Sequence, residues 1–365
     1  MDKNALTSSE KLRYDRQLKM PEFGLEKQLI LKKARVLIVG CGGLGSPISL
    51  YLVAAGIGTL GLIENDQIDI SNLQRQILYR ANQVGEDKLV HAVETLKSLN
   101  PEITIIPFPE RLTAQNAVSI IQKFDLVIDG SDNFPTRYLV NDACFLAKKP
   151  WVYGAIYRFE GQVAVFNYQR NVSYRDMFPS PPPEDLAPNC VEAGVLGVMA
   201  GLIGTLQATE AIKILTGIGE VLDGELLLVE TLSMSFRKVK IPRDLDRKPV
   251  AELIDYEAFC RSSIVSEITW DELQVWKKQG VDFQLIDVRT EEEYASEHLG
   301  GTLIPLAKIE ENLAKIDRDK PVVLHCLSGA RSRQAVQKLM NEGWANVYSL
   351  QGGIQQVGVG FRIKS

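Results

Sequence analysis

The 365-residue chain is poor in cysteine, and its five cysteines (Cys41, Cys144, Cys190, Cys260 and Cys326) are odd in number and widely scattered. That spacing excludes a disulfide framework or a zinc knuckle and fits a reducing, cytoplasmic setting, where a lone thiol is kept for its chemistry. Basic charge is not in excess either. A net charge of −5 gives no broad cationic face, which argues against nucleic acid as the main partner. No apolar run reads as a membrane span. The longest, Ala193 to Leu206, is rich in Gly and Ala and is soon followed by Glu210 and Lys213, the signature of a tightly packed core or interface helix. Met1 to Arg16 is polar and charged, so no secretory signal is expected.

Apolar residues make up 45% and charged residues 24%, a balance that fills globular cores. The length exceeds one typical domain. The β-branched run Val36 to Val39 ends in Gly40-Cys-Gly-Gly-Leu-Gly45. A helical stripe of Leu44, Ile48, Leu52 and Ala55 follows, and then a strand from Thr59 to Ile63. This is a βαβ unit. A helix over 88–99 and strands at 103–108 and 126–128 continue the alternation, which predicts an α/β fold with a doubly wound, mostly parallel sheet. Strands near 151–153, 162–166, 226–229 and 236–241 form an antiparallel extension. Prolines make Pro179 to Pro188 an exposed loop. A charged, poorly periodic linker spans 243–264, dividing a first domain (1–242) from a second, small α/β domain (265–365). In the latter, helices are expected over 268–278 and 331–342, and strands over 283–286, 322–325 and 347–349.

The turn Gly40-x-Gly42-Gly43-x-Gly45 is of the dinucleotide type, with backbone open to phosphate and a helix N-terminus behind it. Glu64, ending the next strand, is placed to hold a ribose. With these features alone a nicotinamide enzyme would be favoured. The polar residues that follow point elsewhere. Attack at an α-phosphate needs cations for the departing pyrophosphate, and Arg75 and Lys88 supply them. Asp66 is polar wall of the same site, and Asp132, in Asp129-Gly-Ser-Asp-Asn133, suits Mg²⁺ at a strand end. Any one of these residues alone could equally be surface charge; the ordered set is far harder to dismiss.

Among the cysteines, Cys41 and Cys144 read as packing residues, and Cys260 sits in the linker without an obvious role. Cys190 follows the proline loop and precedes a helix whose N-terminus would activate a thiol. Cys326 is the strongest candidate nucleophile. It ends the strand Val322-Val-Leu-His325 and opens the loop Cys326-Leu-Ser-Gly-Ala-Arg331, whose backbone N–H groups and following helix favour a thiolate and then a persulfide. Cysteine phosphatases space the arginine one residue further, so this tighter loop suits sulfur.

Arg13-Tyr-Asp-Arg16-Gln, the glycine turn, Ser71-Asn-Leu-Gln-Arg-Gln76, Gly130-Ser-Asp-Asn133 and Cys190-Val-Glu-Ala-Gly194 together resemble the MoeB/ThiF adenylyltransferases, relatives of ubiquitin-activating enzymes. Asp287-Val-Arg289, Glu293-Tyr294, His298-Leu-Gly-Gly301, the Cys326 loop and Gly352-Gly353-Ile354 are similar to rhodanese domains. The first resemblance implies ATP- and Mg²⁺-dependent adenylation of the C-terminal Gly-Gly carboxylate of a small ubiquitin-fold sulfur carrier. Glu64 would hold the ribose and Asn72, Arg75 and Lys88 the phosphates, with Asp132 handling magnesium. Arg16 would reach the ATP of a neighbouring subunit, which implies a homodimer. The second implies persulfide transfer by Cys326, loaded by a cysteine desulfurase or thiosulfate, to give a carrier thiocarboxylate. Arg331 would orient the loop, and Asp287 and Arg289 would be structural. An alternative is an activator of a ubiquitin-like modifier through a Cys190 thioester. The pathway served, molybdenum cofactor biosynthesis among others, stays open at this point. Family members usually carry two Cys-x-x-Cys pairs for structural zinc. Here Ser173-Tyr-Arg-Asp176 stands at the first, and no cysteine lies between Asp223 and Phe259 to form the second, so no zinc is expected.

Overall fold

The computed structural model describes residues 5–181, 194–247, 249–261, 265–358 and 361–363. It divides into two units, Met1–Cys260 and Arg261–Ser365.

The strands of the first unit, β1 (Arg35–Val39), β2 (Thr59–Ile63), β3 (Thr104–Phe108), β4 (Leu126–Asp129), β5 (Trp151–Tyr157), β6 (Glu160–Phe166), β7 (Glu225–Glu230) and β8 (Ser235–Lys240), form one sheet. Its order is β3-β2-β1-β4-β5-β6-β7-β8. The pairs from β3 to β5 are parallel and those from β5 to β8 antiparallel. Parallel strands are buried on both faces, which is why β1 reads as a continuous apolar run. Val36 and Ile38 enter one core, with Ile48 and Leu52 of the helix Gly45–Ala55 and Ile203 of the helix Gly197–Thr216. Leu37 and Val39 enter the other, with Ile120, Ile121 and the helix Phe134–Ala147.

Gly197 to Leu206 of the longest apolar stretch lie in that Gly197–Thr216 helix, whose 20 residues would by length and composition cross a membrane. Its packing identifies it as a core helix. A Cβ on Gly204 would lie 2.5 Å from Pro47 Cγ and 2.7 Å from the Leu44 carbonyl oxygen, so the two helices meet backbone to side chain. Cys41 and Cys144 are buried in the two cores, where desolvation pushes both thiols up, as their reading as packing residues requires.

Where the resemblance would place zinc-binding cysteines and this chain has Ser173 to Asp176, the structure shows other fasteners. Ser173 and Asp176 form a reciprocal capping box on a short helix, and Asp176, with a fully buried side chain, also accepts from Arg247 Nε at 2.9 Å. Beside them Arg175 holds Asp142 through two hydrogen bonds of 2.9 and 2.7 Å, and Tyr256 donates its hydroxyl to the same carboxylate at 2.8 Å. The stretch expected as a linker therefore carries side chains that belong to the first unit. Tyr256 is buried, and Phe259 packs edge-on against Tyr138 with centroids 5.2 Å apart. Cys260 packs half-buried against the same core, and burial pushes its thiol up to about 12. Isolated anchors of this kind have no periodicity, so the sequence reads as a connector.

In the second unit β9 (Glu267–Ile268), β10 (Gln284–Asp287), β11 (Thr302–Leu303), β12 (Val322–His325) and β13 (Val347–Leu350) form an all-parallel sheet in the order β11-β10-β12-β13-β9. The helix Ala330–Asn341 packs on it through Ala335, Val336 and Leu339. Asp287 and Arg289 form a buried pair at 2.7 Å at the end of the β10 segment, with Arg289 also donating to the Glu297 carbonyl.

Candidate functional site

Strand order reverses between β1 and β4, and in open α/β sheets ligands bind in the crevice beyond the carboxyl ends of the strands at such a point. A cavity of about 420 Å³ opens there, within the range of small-molecule sites. The approach of the two strand ends depends on glycine. Gly40 has φ +90°, and a Cβ on Gly45 would lie 2.1 Å from the Gly40 carbonyl oxygen. A Cβ on Gly130 would lie 2.6 Å from that same atom. No other residue lets the turn close onto the start of the following helix.

Gly40, Gly42, Gly43, Glu64, Asp66, Arg75, Lys88 and Asp132 line this cavity. Sequence distance between them is bridged by the sheet. Glu64 is buried and accepts three backbone N–H groups, from Cys41 at 2.9 Å, Asn65 at 2.9 Å and Asp66 at 3.0 Å. A carboxylate has about four acceptor positions, so roughly one is left for a ligand hydroxyl. Lys88 is buried, begins the helix Lys88–Leu99 and meets the exposed Asp66 at 3.2 Å. The aliphatic stem of Arg75 lies against Gly43, where a Cβ would come within 3.4 Å of Arg75 Cγ and Cδ. Asp132 is exposed at the mouth.

Three expected residues are elsewhere. Gly45 is not among the lining residues and acts through its close approach to the Gly40 carbonyl. Asn72 is not among the lining residues and serves instead to turn the chain, its carbonyl accepting from the N–H groups of Arg75 and Gln76. Arg16 is also outside the cavity, with its side chain 90% exposed. Cys190 and most of the proline loop lie outside the described residues, and the first helix described after them begins at Gly197.

Other lining residues had no role assigned from the sequence: Gln76, Ser131 and Asn133, which stand within the quoted motifs, and Arg111 and Arg137, which stand outside them. Arg137 follows Asp132 by little more than a helical turn, and its guanidinium lies over the rings of Phe134 and Tyr153. Gln76 Oε1 and Ser131 Oγ are buried and find no partner among the described residues. Orphaned polar atoms in a cavity wall, beside a glycine cradle and the cations Arg75, Lys88, Arg111 and Arg137, fit a phosphorylated, hydroxyl-bearing ligand such as a nucleotide. Beneath them Asp129 is fully buried, and desolvation holds its carboxyl up at about 6, with Arg137 and the Ser131 N–H opposing the rise. No group of three or more His, Cys, Asp or Glu side chains is arranged to hold a metal among the described residues. A magnesium ion would therefore rest on Asp132 and on phosphate oxygens, a sparse protein contribution usual for that ion.

In the second unit Cys326 is buried at the end of β12, its Sγ accepting the Gly329 N–H at 3.2 Å. Gly329, at φ +93°, turns the loop into the helix Ala330–Asn341. Arg331 does not point at the sulfur as a free cation. It forms a two-armed pair with Glu293, at 2.7 and 2.6 Å, and fastens the loop to the helix Glu291–Ser296. His325, adjacent in sequence, is fully buried, and desolvation depresses its pKa to about 4, so it contributes no positive charge near neutrality. The N–H groups of the loop and the helix start carry the anion-stabilising potential.

The fold and the two sites define a nucleotide-binding α/β domain joined to a parallel-sheet domain with a cysteine anion loop. Family models match the same two regions, the ThiF family over residues 14–250 and a rhodanese-like domain over residues 269–358. A probable adenylyltransferase/sulfurtransferase MoeZ of Mycobacterium tuberculosis is 44% identical over 96% of this chain and 93% of its own length. A sulfur carrier protein adenylyltransferase of Thermus thermophilus is 50% identical, covering 70% of this chain and 98% of its own. Escherichia coli MccB with ATP superposes with a TM-score of 0.58 at 21% identity, over 68% of this chain and 76% of that one, which supports the fold. The chain belongs to the ThiF family and carries a C-terminal rhodanese-like domain.

Proposed function

We propose that this enzyme adenylates the C-terminal Gly-Gly carboxylate of a small ubiquitin-fold sulfur carrier, and that Cys326 then supplies persulfide sulfur to give a thiocarboxylate. The observation that carries the reading is the convergence of the glycine turn, Arg75, Lys88 and Asp132 on one cavity, in a chain that also holds a loop-bound cysteine. A nicotinamide enzyme needs no such cations. Displacement of pyrophosphate does, because negative charge grows on the leaving group.

Glu64 would take a ribose hydroxyl on its remaining acceptor position, and the N–H groups of the glycine turn, with Arg75 and Lys88, would hold the phosphates. Mg²⁺, held through Asp132, would neutralise phosphate charge when bound. The Cys326 persulfide attacks the carbonyl of the acyl-adenylate, and AMP departs with the electron pair of the broken C–O bond, leaving an acyl disulfide on Cys326. A thiolate, that of Cys190 or of a small-molecule thiol, then attacks Cys326 Sγ, the S–S bond breaks with its electron pair on the carrier as thiocarboxylate, and an external thiol reduces the disulfide left on Cys326. Arg16, exposed and outside its own cavity, is available to a second subunit, and a homodimer with shared sites is part of the proposal. The donor that loads Cys326 is a persulfide-bearing cysteine desulfurase or thiosulfate. Cys190 would hold the carrier or resolve a disulfide, and the setting is a reducing cytoplasm.

The test is ATP–pyrophosphate exchange with a panel of Gly-Gly-ending carriers, followed by mass measurement of each carrier. One oxygen replaced by sulfur, and no such gain with Cys326→Ala, is the expected result. Nucleotide never turned over with any carrier would overturn the reading; a reducible carrier adduct on Cys190 without thiocarboxylate would turn it toward modifier activation.

A further inference from the structure

Behind the sulfur of Cys326 lies a pair of hydroxyls to which the reaction as described gives no task. Ser332 and Ser349 are both fully buried, one on the first turn of the helix Ala330–Asn341 and the other on β13. Their Oγ atoms are 2.8 Å apart. Ser332 Oγ is also 3.0 Å from the Gly329 carbonyl oxygen and 3.8 Å from Cys326 Sγ.

Counting protons sets the direction of this chain. Among the described residues the Ser349 hydroxyl has one partner, Ser332 Oγ, and a buried O–H left unused is costly. Ser349 therefore donates to Ser332. The single Ser332 proton then has two acceptors, the Gly329 carbonyl and the sulfur. The carbonyl does not depend on it, because it also accepts the Arg333 N–H at 3.0 Å. The hydroxyl can rotate to the sulfur without leaving any acceptor orphaned. It gains most by doing so when Sγ is charged, since hydrogen bonds to an ionised partner are about twice as strong as neutral ones. Gly329 N–H approaches the same sulfur at 3.2 Å, so the buried Sγ would hold two donors.

We infer that Ser332 is a catalytic residue of the sulfur-transfer site, donating to Cys326 Sγ when it carries negative charge, and that Ser349 is a positioning residue which keeps the Ser332 proton aimed that way. This rests on the sulfur-transfer reading and adds the group that serves its loading step. In that step the Cys326 thiolate attacks the outer sulfur of a donor R–S–SH. The Sγ–S bond forms, the donor's S–S bond breaks, and the donor leaves as R–S⁻ with the electron pair. The persulfide proton stays on the transferred sulfur.

The experiment uses the full chain and reads iodoacetamide alkylation of Cys326, by peptide mass, from pH 5 to 10. Ser332→Ala is expected to displace the pH profile to the alkaline side and to slow alkylation at pH 7 about tenfold, the weight of one charge-assisted hydrogen bond. Ser332→Thr, which keeps the hydroxyl, should restore the parent profile. Ser349→Ala should shift it in the same direction by less. Profiles of Ser332→Ala and Ser349→Ala superimposable on the parent would overturn the assignment. If Ser332→Ala does not fold, Ser349→Ala decides, and an unshifted profile there overturns the relay. Persulfide loading of the parent from thiosulfate or a small alkyl persulfide is followed in parallel. A parent that alkylates at Cys326 but never accepts sulfur from either would sink the sulfur-transfer reading, while the alkylation profiles still report on Ser332.

Discussion

Arg331 and Glu293 face each other through two parallel hydrogen bonds, at 2.7 and 2.6 Å, so the one cation of the cysteine loop is spent on holding the loop in place. A guanidinium used in this way fixes geometry better than it attracts anions, because its charge is matched by a carboxylate about a third exposed. The sequence reading that Arg331 orients the loop therefore has a partner in the structure.

Glu293→Gln should weaken sulfur transfer more than stability. The pair is partly solvated, so its loss is expected to cost about 1 kcal/mol or less of unfolding free energy. Its pH dependence follows from the Arg331 hydrogen bond, which pulls Glu293 from 4.5 down to about 2. The folded value lies below the unfolded one, so the contribution is complete above about 4.5 and lost as pH falls toward 2. Sulfur transfer from thiosulfate between pH 5 and 9 should show no titration of this group, and an acid limb that vanishes in Glu293→Gln would contradict that.

Asp132→Ala should abolish ATP–pyrophosphate exchange while thiosulfate sulfur transfer continues. The residue lies at the mouth of the cavity in the first unit, and the cysteine loop belongs to the second. Loss of both activities together would point to misfolding, which circular dichroism of the variant would reveal.

Asp129 is a buried carboxyl at the end of β4, held up at about 6 mainly by desolvation. The folded value exceeds the ordinary 3.8, so the folded state binds the extra proton, and stability falls as pH rises through that window. Asp129→Asn keeps an oxygen for the Ser131 N–H and removes the charge. Its Tm should gain on the parent's between pH 4 and 7, by an amount equivalent to roughly 2–3 kcal/mol if the shift is two units. Thermal melts across that range check this; a Tm difference that does not change with pH would dismiss it.

The fasteners at Asp176 and Arg247 carry the prediction on metal. Asp176 is fully buried and Arg247 mostly so, and removing one partner of such a pair leaves an uncompensated charge. Arg247→Ala should lower unfolding free energy by about 3 kcal/mol, softened by the backbone N–H groups of Ser173 and Asp244 that also reach Asp176. Incubation with a strong chelator should leave the Tm of the parent unchanged. A clear drop on chelation would mean that a structural ion is present after all.

Much of the fold was legible because it depends on local periodicity. The strand at 322–325 and the helix over 88–99 coincide with their expected bounds, and β1, β2 and β4 fall within a residue of theirs. Their apolar side chains alternate between two cores, a pattern written along the strand itself. The glycine turn was legible for a related reason: a Cβ at Gly45 cannot coexist with the Gly40 carbonyl, so residue type is dictated at that point. Motif order then brought Glu64, Arg75, Lys88 and Asp132 into view.

What the sequence alone determined, then, is element type, the glycine turn and the cysteine loop, each set by the stereochemistry of neighbouring residues. Only the tertiary structure decided which distant side chains meet. It put Arg137 and Ser131 in the cavity and Asn72 outside it, fastened Tyr256 to Asp142 across a stretch that reads as a linker, and set Ser349 behind Ser332. Such meetings depend on strand order and helix packing over long separations in the chain, which no local pattern encodes.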